Sequence, residues 1–201
     1  MMLKTCVRLL LIVVLSAGAS ARAATVASWT FDQFDGQQRQ IESDQGSGLI
    51  TLAEAWVEAG LSNPKGTVVN SPNEVPEGSA MGLSGMARNG QFFELSLPKS
   101  GHGDLHVSAA LRRSASGYTA VIISRSIDGG KTFEDLEAWA PTGTWSRHAL
   151  DLGQVPSEGR TILRFTMDGA TSARGTIAFD NLIVARQVSP SVRRREADRS
   201  D

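Results

Sequence analysis

The chain has a single cysteine in 201 residues, and that residue is Cys6. It lies ahead of every segment with folding character, so no disulfide staples a domain built from the rest. Aromatic residues make up only 6%, with one tyrosine. The three histidines are His102, His106 and His148. The step from His102 to His106 falls on loop and strand, not on the helix that a zinc-protease motif needs. No mature cysteine, nucleophile elbow or phosphate-cradling glycine loop is present. No Glu-x-Asp-x-x-Glu cluster marks a glycosidase strand, although scattered carboxylates leave many possible pairs. The formal net charge of −1 gives nucleic acid or an anionic bilayer no electrostatic hold. Sustained helical periodicity is also missing.

The one long apolar run is Leu9–Ala19, too short to span a bilayer comfortably. Lys4 and Arg8 precede it and Ala21-Arg22-Ala23 follows, with small residues where a signal peptidase reads. Residues 1–23 therefore read as a secretory signal peptide, cleaved after Ala23. The mature chain is then secreted or periplasmic, free of cysteine, and not inserted in a membrane. It loses Lys4, Arg8 and Arg22 and becomes more acidic. At the other end, residues 188–201 carry Arg193-Arg194-Arg195 and almost nothing apolar, which predicts a disordered charged tail.

Between these ends, short β-like segments recur with turn residues between them. Candidate strands are Val26–Phe31, Met81–Met86, Gln91–Leu97, Asp104–Arg112, Tyr118–Ser124, Phe133–Ala140, Trp145–Leu152, Thr161–Met167 and Thr176–Ala185. The clearest alternation sets Leu105, Val107, Ala109 and Leu111 on one face and His106, Ser108, Ala110 and Arg112 on the other. Phe93, Leu95 and Leu97 likewise alternate with Phe92, Glu94 and Ser96. Gln33–Gly48 reads as a long loop, and Leu49–Val57 suits a strand or a helical turn. Leu61–Gly78, with three prolines, reads as a loop holding one short strand at Thr67–Val69. The expected fold is all-β, an antiparallel jelly-roll-like sandwich over residues 24–187.

Asp128-Gly129-Gly130 is a hairpin signal, because Asp accepts bonds from the backbone ahead of it and Gly takes positive φ. Ser126, Asp128, Gly130, Thr132 and Phe133 follow the pattern Ser/Thr-x-Asp-x-Gly-x-Thr-Phe/Trp. This stretch resembles the Asp-box hairpin of sialidase propellers and other secreted β-proteins. The resemblance implies a turn held by Ser, Asp and Thr with the aromatic tucked beneath, a structural device and not an active site. It occurs once, so a propeller is excluded.

A second resemblance spans most of the mature chain. Gly175-Thr176-Ile177-Ala178-Phe179-Asp180-Asn181-Leu182-Ile183-Val184 is similar to the closing strand of secreted jelly-roll domains of the carbohydrate-binding-module type. Ser28-Trp29-Thr30-Phe31-Asp32 resembles their opening strand, and Leu111-Arg112-Arg113-Ser114, the hairpin and Trp145 fall in matching order. The resemblance implies a structural Ca²⁺ where first and last strands meet, held by Asp32 and Asp180 with backbone oxygens. The alternative is that Asp180 and Asn181 bond neighbouring loops.

Among the aromatics, Trp29 and Trp145 are expected in the core. Trp139, Trp56 and Tyr118 are candidate ligand platforms, since an exposed ring offers a sugar a flat apolar face. Trp139 shares its strand face with Asp135 and Glu137, which favours solvent. A bulge within the strand would instead send it inward. The function these features point to is a non-catalytic binding module for glycan or a surface component. A structural or adhesive matrix protein is the alternative, and a small polysaccharide-active enzyme the third reading. A flat exposed platform favours the first, an uncovered apolar edge strand the second, and a cleft with two near carboxylates the third.

Overall fold

The computed structural model describes residues 24–72, 76–98, 104–155 and 160–186. The expected leader at 1–23 and tail at 188–201 lie outside them. Among the described residues, thirteen strands form two antiparallel sheets packed face to face. Sheet A runs in the order β11 (Ser146–Gln154), β8 (Asp104–Arg113), β13 (Thr176–Arg186), β1 (Ala24–Trp29) and β3 (Gln45–Gly46). On it, β6 (Met81–Ser84) pairs with β13, and β5 (Leu61–Ser62) pairs with β6. Sheet B runs β10 (Glu134–Trp139), β9 (Ala120–Ser126), β12 (Thr161–Asp168), β7 (Phe92–Leu97), β4 (Leu49–Leu52) and β2 (Gln40–Glu42). The fold is the antiparallel jelly-roll-like sandwich that the strand pattern predicts.

Alternation sorts the side chains. Phe93, Leu95 and Leu97 of β7 face inward, as do Leu163, Phe165 and Met167 of β12 and Leu105, Val107, Ala109 and Leu111 of β8. Phe93 stacks on Phe165 with ring centres 4.8 Å apart and meets Phe179 edge-on at 5.2 Å. Each such buried side chain contributes about 1.5–3 kcal/mol. On β13, Ile177 and Phe179 face inward, then Leu182 and Val184 do so. The change of parity comes from a bulge between Asp180 and Ile183, with Asn181 at φ 48°.

Several local expectations are corrected. Gln33–Gly48 is not all loop, because β2 and β3 form there. These two- and three-residue strands are too short to carry an alternation of their own and exist through pairing, β2 with the nearby β4 and β3 with β1. Leu49–Val57 is both things in turn: β4, then the short helix α1 (Glu54–Glu58). Thr67–Val69 forms no strand.

The loop across residues 63–72 and 76–80 lies over the outer side of sheet A. Asn181 Nδ2 donates to the carbonyls of Thr67 at 2.7 Å and Val69 at 2.9 Å. Asn70 Nδ2 donates to the Asn181 carbonyl at 2.6 Å. Ser108 and Asp180, which point away from the core, are 3% and 2% exposed in consequence.

The β9–β10 hairpin closes on the expected residues. Asp128 accepts bonds from Ser126 Oγ at 2.7 Å, from the amides of Lys131 and Thr132 at 3.0 Å each, and from Thr132 Oγ1 at 2.7 Å. Gly130 N donates to Ser126 Oγ at 2.8 Å, and Gly129 and Gly130 take φ of 79° and 95°. The bonds from Ser126 and Thr132 hold the Asp128 carboxyl well below the usual range.

Candidate functional site

The three candidate platform residues are buried. Trp139 is 2% exposed, and Trp56 and Tyr118 are fully buried. The Trp139 outcome has a local cause. The β9–β10 register shifts between Asp135 and Glu137, so a bulge separates Asp135 on the outer face from Glu137 and Trp139 on the inner one. Two carboxylates two residues apart thus stop predicting the position of the indole. Trp139 packs at 5.9 Å on Phe165 and 5.7 Å on His148. Trp56 sits on α1 and donates from Nε1 to the Phe92 carbonyl at 2.9 Å. Tyr118 donates to the Gly85 carbonyl at 2.6 Å and meets Trp56 edge-on at 6.0 Å. Burial pushes its hydroxyl up to about 12. Both plug the sandwich; neither offers a face to a ligand. Trp29 is core as expected, whereas Trp145 is not: it stands half-buried under the Arg112 guanidinium.

Asp32 and Asp180 do come together, beneath the loop over sheet A. Asp180 accepts from Thr67 N at 2.6 Å and from Asn181 N at 2.7 Å; Asp32 accepts from Ser79 N at 3.1 Å. Burial raises the Asp180 carboxyl to about 7, and the Asp32 charge adds to the rise. Gly66 and Gly78 leave the room this needs. A Cβ on Gly66 would stand 2.5 Å from Asp180 Oδ2 and 2.8 Å from the Ser79 carbonyl, and a Cβ on Gly78 would collide with the Asp32 carboxylate. The Asp180 carboxylate and the Ser79 carbonyl thus border the space at Gly66, and the Asp32 carboxylate that at Gly78, hard oxygen donors of the kind Ca²⁺ takes. The bonds from Asp180 and Asn181 to the loop are present as well. Among the described residues no group of three His, Cys, Asp or Glu side chains gathers at one point, so a cation here would depend on backbone oxygens.

The open surface is the outer face of sheet B. One residue from each strand forms a row across it: Asp135, Ser124, Arg164, Glu94, Thr51 and Gln40. At the usual strand spacing the row runs roughly 24 Å, the length of several sugar residues. At its centre Arg164 donates from Nη2 and Nε to Glu94 Oε1, at 2.6 and 3.1 Å. Its guanidinium lies 3.7 Å from the Phe133 ring centre and 4.2 Å from that of Phe92. Phe133 thus closes the hairpin by stacking on Arg164, outside the core. Ser124 Oγ donates to Asp135 at 2.6 Å. The alternation of β7 already put Phe92 and Glu94 on the outward face; the missing element was their cross-strand partner, Arg164.

Two hollows lie at the β2–β4 end of this face. One, of about 390 Å³, is lined by Glu42, Leu49, Ser96, Pro98 and Arg160 among others. The second, of about 460 Å³, has Trp29, Phe31 and Phe34 in its wall and Gln38 and Gln40 at its rim. They share Glu42 and Leu49 in their walls and so lie side by side. Phe31 holds φ 59°, an uncommon setting for a bulky residue. Beside it Thr30 donates through N and Oγ1 to Asp44 Oδ2, at 2.5 and 2.8 Å.

No protein-family model and no curated sequence matches the chain. Among solved structures it is similar to the tandem family 22 carbohydrate-binding modules of Paenibacillus barcinonensis Xyn10C. The two are 15% identical, over 87% of this chain and 48% of that one, with a TM-score of 0.50. It is also similar to the single family 22 xylan-binding domain of the same protein, at 14% identity over 85% of this chain and 100% of that one, TM-score 0.49. A family 61 module in complex with β-1,4-galactotriose is 14% identical over 79% of this chain and 94% of that one, TM-score 0.47. The likeness is one of fold: the chain shares the antiparallel β-sandwich of these modules.

Proposed function

We propose that this chain is an exported, non-catalytic module that binds a glycan along the outer face of sheet B. The observation that carries this reading is the polar row centred on Arg164 and Glu94. It is extended, partly open to solvent with Ser124 buried within it, and ends at Gln40, which rims one of the hollows beside β2. Its carboxylates, guanidinium, hydroxyls and amide match the donors and acceptors of sugar hydroxyls, and Phe92 and Phe133 add apolar surface. A xylan and a β-1,4-galactan are the first ligands to offer, because the neighbouring folds are a xylan-binding domain and a module solved with β-1,4-galactotriose. Binding of these polysaccharides, followed by affinity electrophoresis and calorimetry, tests the proposal. Glu94→Gln and Arg164→Gln each remove a charge-assisted bond and should weaken binding roughly tenfold or more. Binding indifferent to both substitutions overturns the reading.

The edges of the sheets give the adhesive alternative little support. Edge strand β10 carries Glu134, Asp135 and Glu137 and a bulge, all of which oppose strand addition. The proposal includes a leader removed after Ala23, which the intact mass of exported protein tests. It also includes a structural Ca²⁺ held by Asp32 and Asp180.

A further inference from the structure

A separate hollow opens on the outer side of sheet A, across the sandwich from the Arg164 row. It holds about 280 Å³, and Ser62, Pro64, Arg112, Arg113, Ser114 and Thr176 form most of its wall. None of its lining residues is acidic. Arg113 is fixed in place, donating from Nε to the Pro141 carbonyl and from Nη1 to the carbonyls of Ser114 and Ala115, each at 3.0 Å. Three carbonyl dipoles orient that guanidinium and leave its charge uncompensated.

Arg112 is different. Its guanidinium lies over the Trp145 ring, 4.9 Å from the centre. Among the described residues no carboxylate pairs with it and no acceptor bonds it. Arg164, also stacked on aromatic rings, has both: Glu94 accepts two of its N–H groups. An unpaired guanidinium over an aromatic ring, on a side chain that lines an acid-free hollow, is therefore set up for an oxygen anion supplied from outside.

We propose that this hollow is a carboxylate subsite for a uronate unit of an acidic glycan. Arg112 takes the carboxylate two-pronged, Arg113 contributes charge at short range, and the hydroxyls of Ser62 and Thr176 meet sugar hydroxyls. The volume lies just under the usual ligand range, which begins near about 300 Å³, and suits one sugar unit rather than a chain. The choice of a sugar rests on the glycan-binding reading; the anion does not depend on the sheet B row.

Calorimetry of the full chain with tetragalacturonate and with its methyl ester tests the subsite, since the ester keeps the backbone and removes the charge. The acid should bind, and the ester should bind at least about tenfold more weakly. Arg112→Gln should weaken the acid by a similar factor. Arg112→Lys should recover only part of it, because charge remains while the fork is lost. Arg174→Gln makes the same charge change at an exposed residue outside the hollow and should have no effect. The subsite is overturned if the acid fails to bind at millimolar concentration, if acid and ester bind alike, or if Arg112→Gln and Arg174→Gln weaken binding equally. Neutral glycan that still binds in a Glu94-dependent way while uronate does not overturns this subsite alone. Uronate that requires Arg112 while no neutral glycan binds overturns the sheet B reading and leaves the subsite standing.

Discussion

The two sheets turn very different outer faces to their surroundings. Sheet B leaves its outer row half-exposed and lets long polar side chains pair there, with Arg164 and Glu94 at 29% and 28% exposure. Sheet A is roofed by the loop across residues 63–72 and 76–80 and fills the space beneath with short side chains: Ser108, Ala110 and the Asp180–Asn181 pair. The covered face works as a second small core, made of hydrogen bonds in place of aliphatic packing. The part of sheet A beneath the loop is thus committed to holding the chain together, and the outer face of sheet B is left available.

That contrast can be broken experimentally, beginning with the tryptophans. Trp139 lies behind the open face and Trp145 outside the covered sheet. Trp139→Ala should cost about 3–5 kcal/mol, as large aromatic truncations in cores do, and Trp145→Ala should fall well short of that in the same denaturant titration. Equal losses would mean that the inward turn of Trp139 is wrong. Next comes the roof. Asn181→Ala removes two bonds to buried loop carbonyls and leaves alanine at positive φ, together about 2–4 kcal/mol. Thr51→Ala, on the open face, should stay within about 0.5 kcal/mol. A third test adds Ca²⁺: at a hundredfold excess over its dissociation constant it should stabilise the fold by about 2.7 kcal/mol. Chelation that leaves the melting curve unmoved removes Asp32 and Asp180 as ligands, and Asp180→Asn should abolish any shift.

The smallest effect concerns the margin where the sheets meet. His148 of sheet A packs on Trp139 of sheet B, and burial lowers its pKa below 6.5, against the pull of Glu137. With the folded value below the unfolded one, its contribution is present above pH 6.5 and is lost as pH falls through the folded pKa. Melting temperature should therefore decline on acidification below pH 6.5, and His148→Gln should flatten that part of the profile. A profile unchanged by the substitution would place the acid sensitivity elsewhere.

Much of the architecture was legible in the sequence because alternation and turn chemistry are local signals. The clean pattern of Asp104–Arg112 became β8, and Asp128-Gly129-Gly130 became the β9–β10 turn. What escaped was decided at a distance. The bulge at Asp135/Glu137 turned one indole inward, and nothing in Glu134–Trp139 announces it. Strands β3 and β5 are two residues long and depend on partners about twenty residues away. Arg164 becomes central only when β7, β12 and the end of the hairpin lie side by side. A signal for the roof was nevertheless present. Ile177–Ala185 is apolar on both sides of Asp180-Asn181, the mark of a strand covered on both faces. The joint position of Asp32 and Asp180 beneath that roof was legible only through the resemblance of the opening and closing strands.

The pairing of β1 with β13 has a mechanical consequence. Ala24 faces Arg186 at one end of this antiparallel pair, and Trp29 faces Leu182 at the other. Tension applied through residues 24 and 186 pulls the two strands apart crosswise, loading one rung of the ladder at a time. Such a geometry unzips at low force, unlike one in which many rungs are sheared together. The rupture would run toward Asp32 and Asp180, just beyond the last rung. Ca²⁺ bound there would act as a stop at the end of a zipper, and in single-molecule pulling it should add a discrete force step that chelator erases.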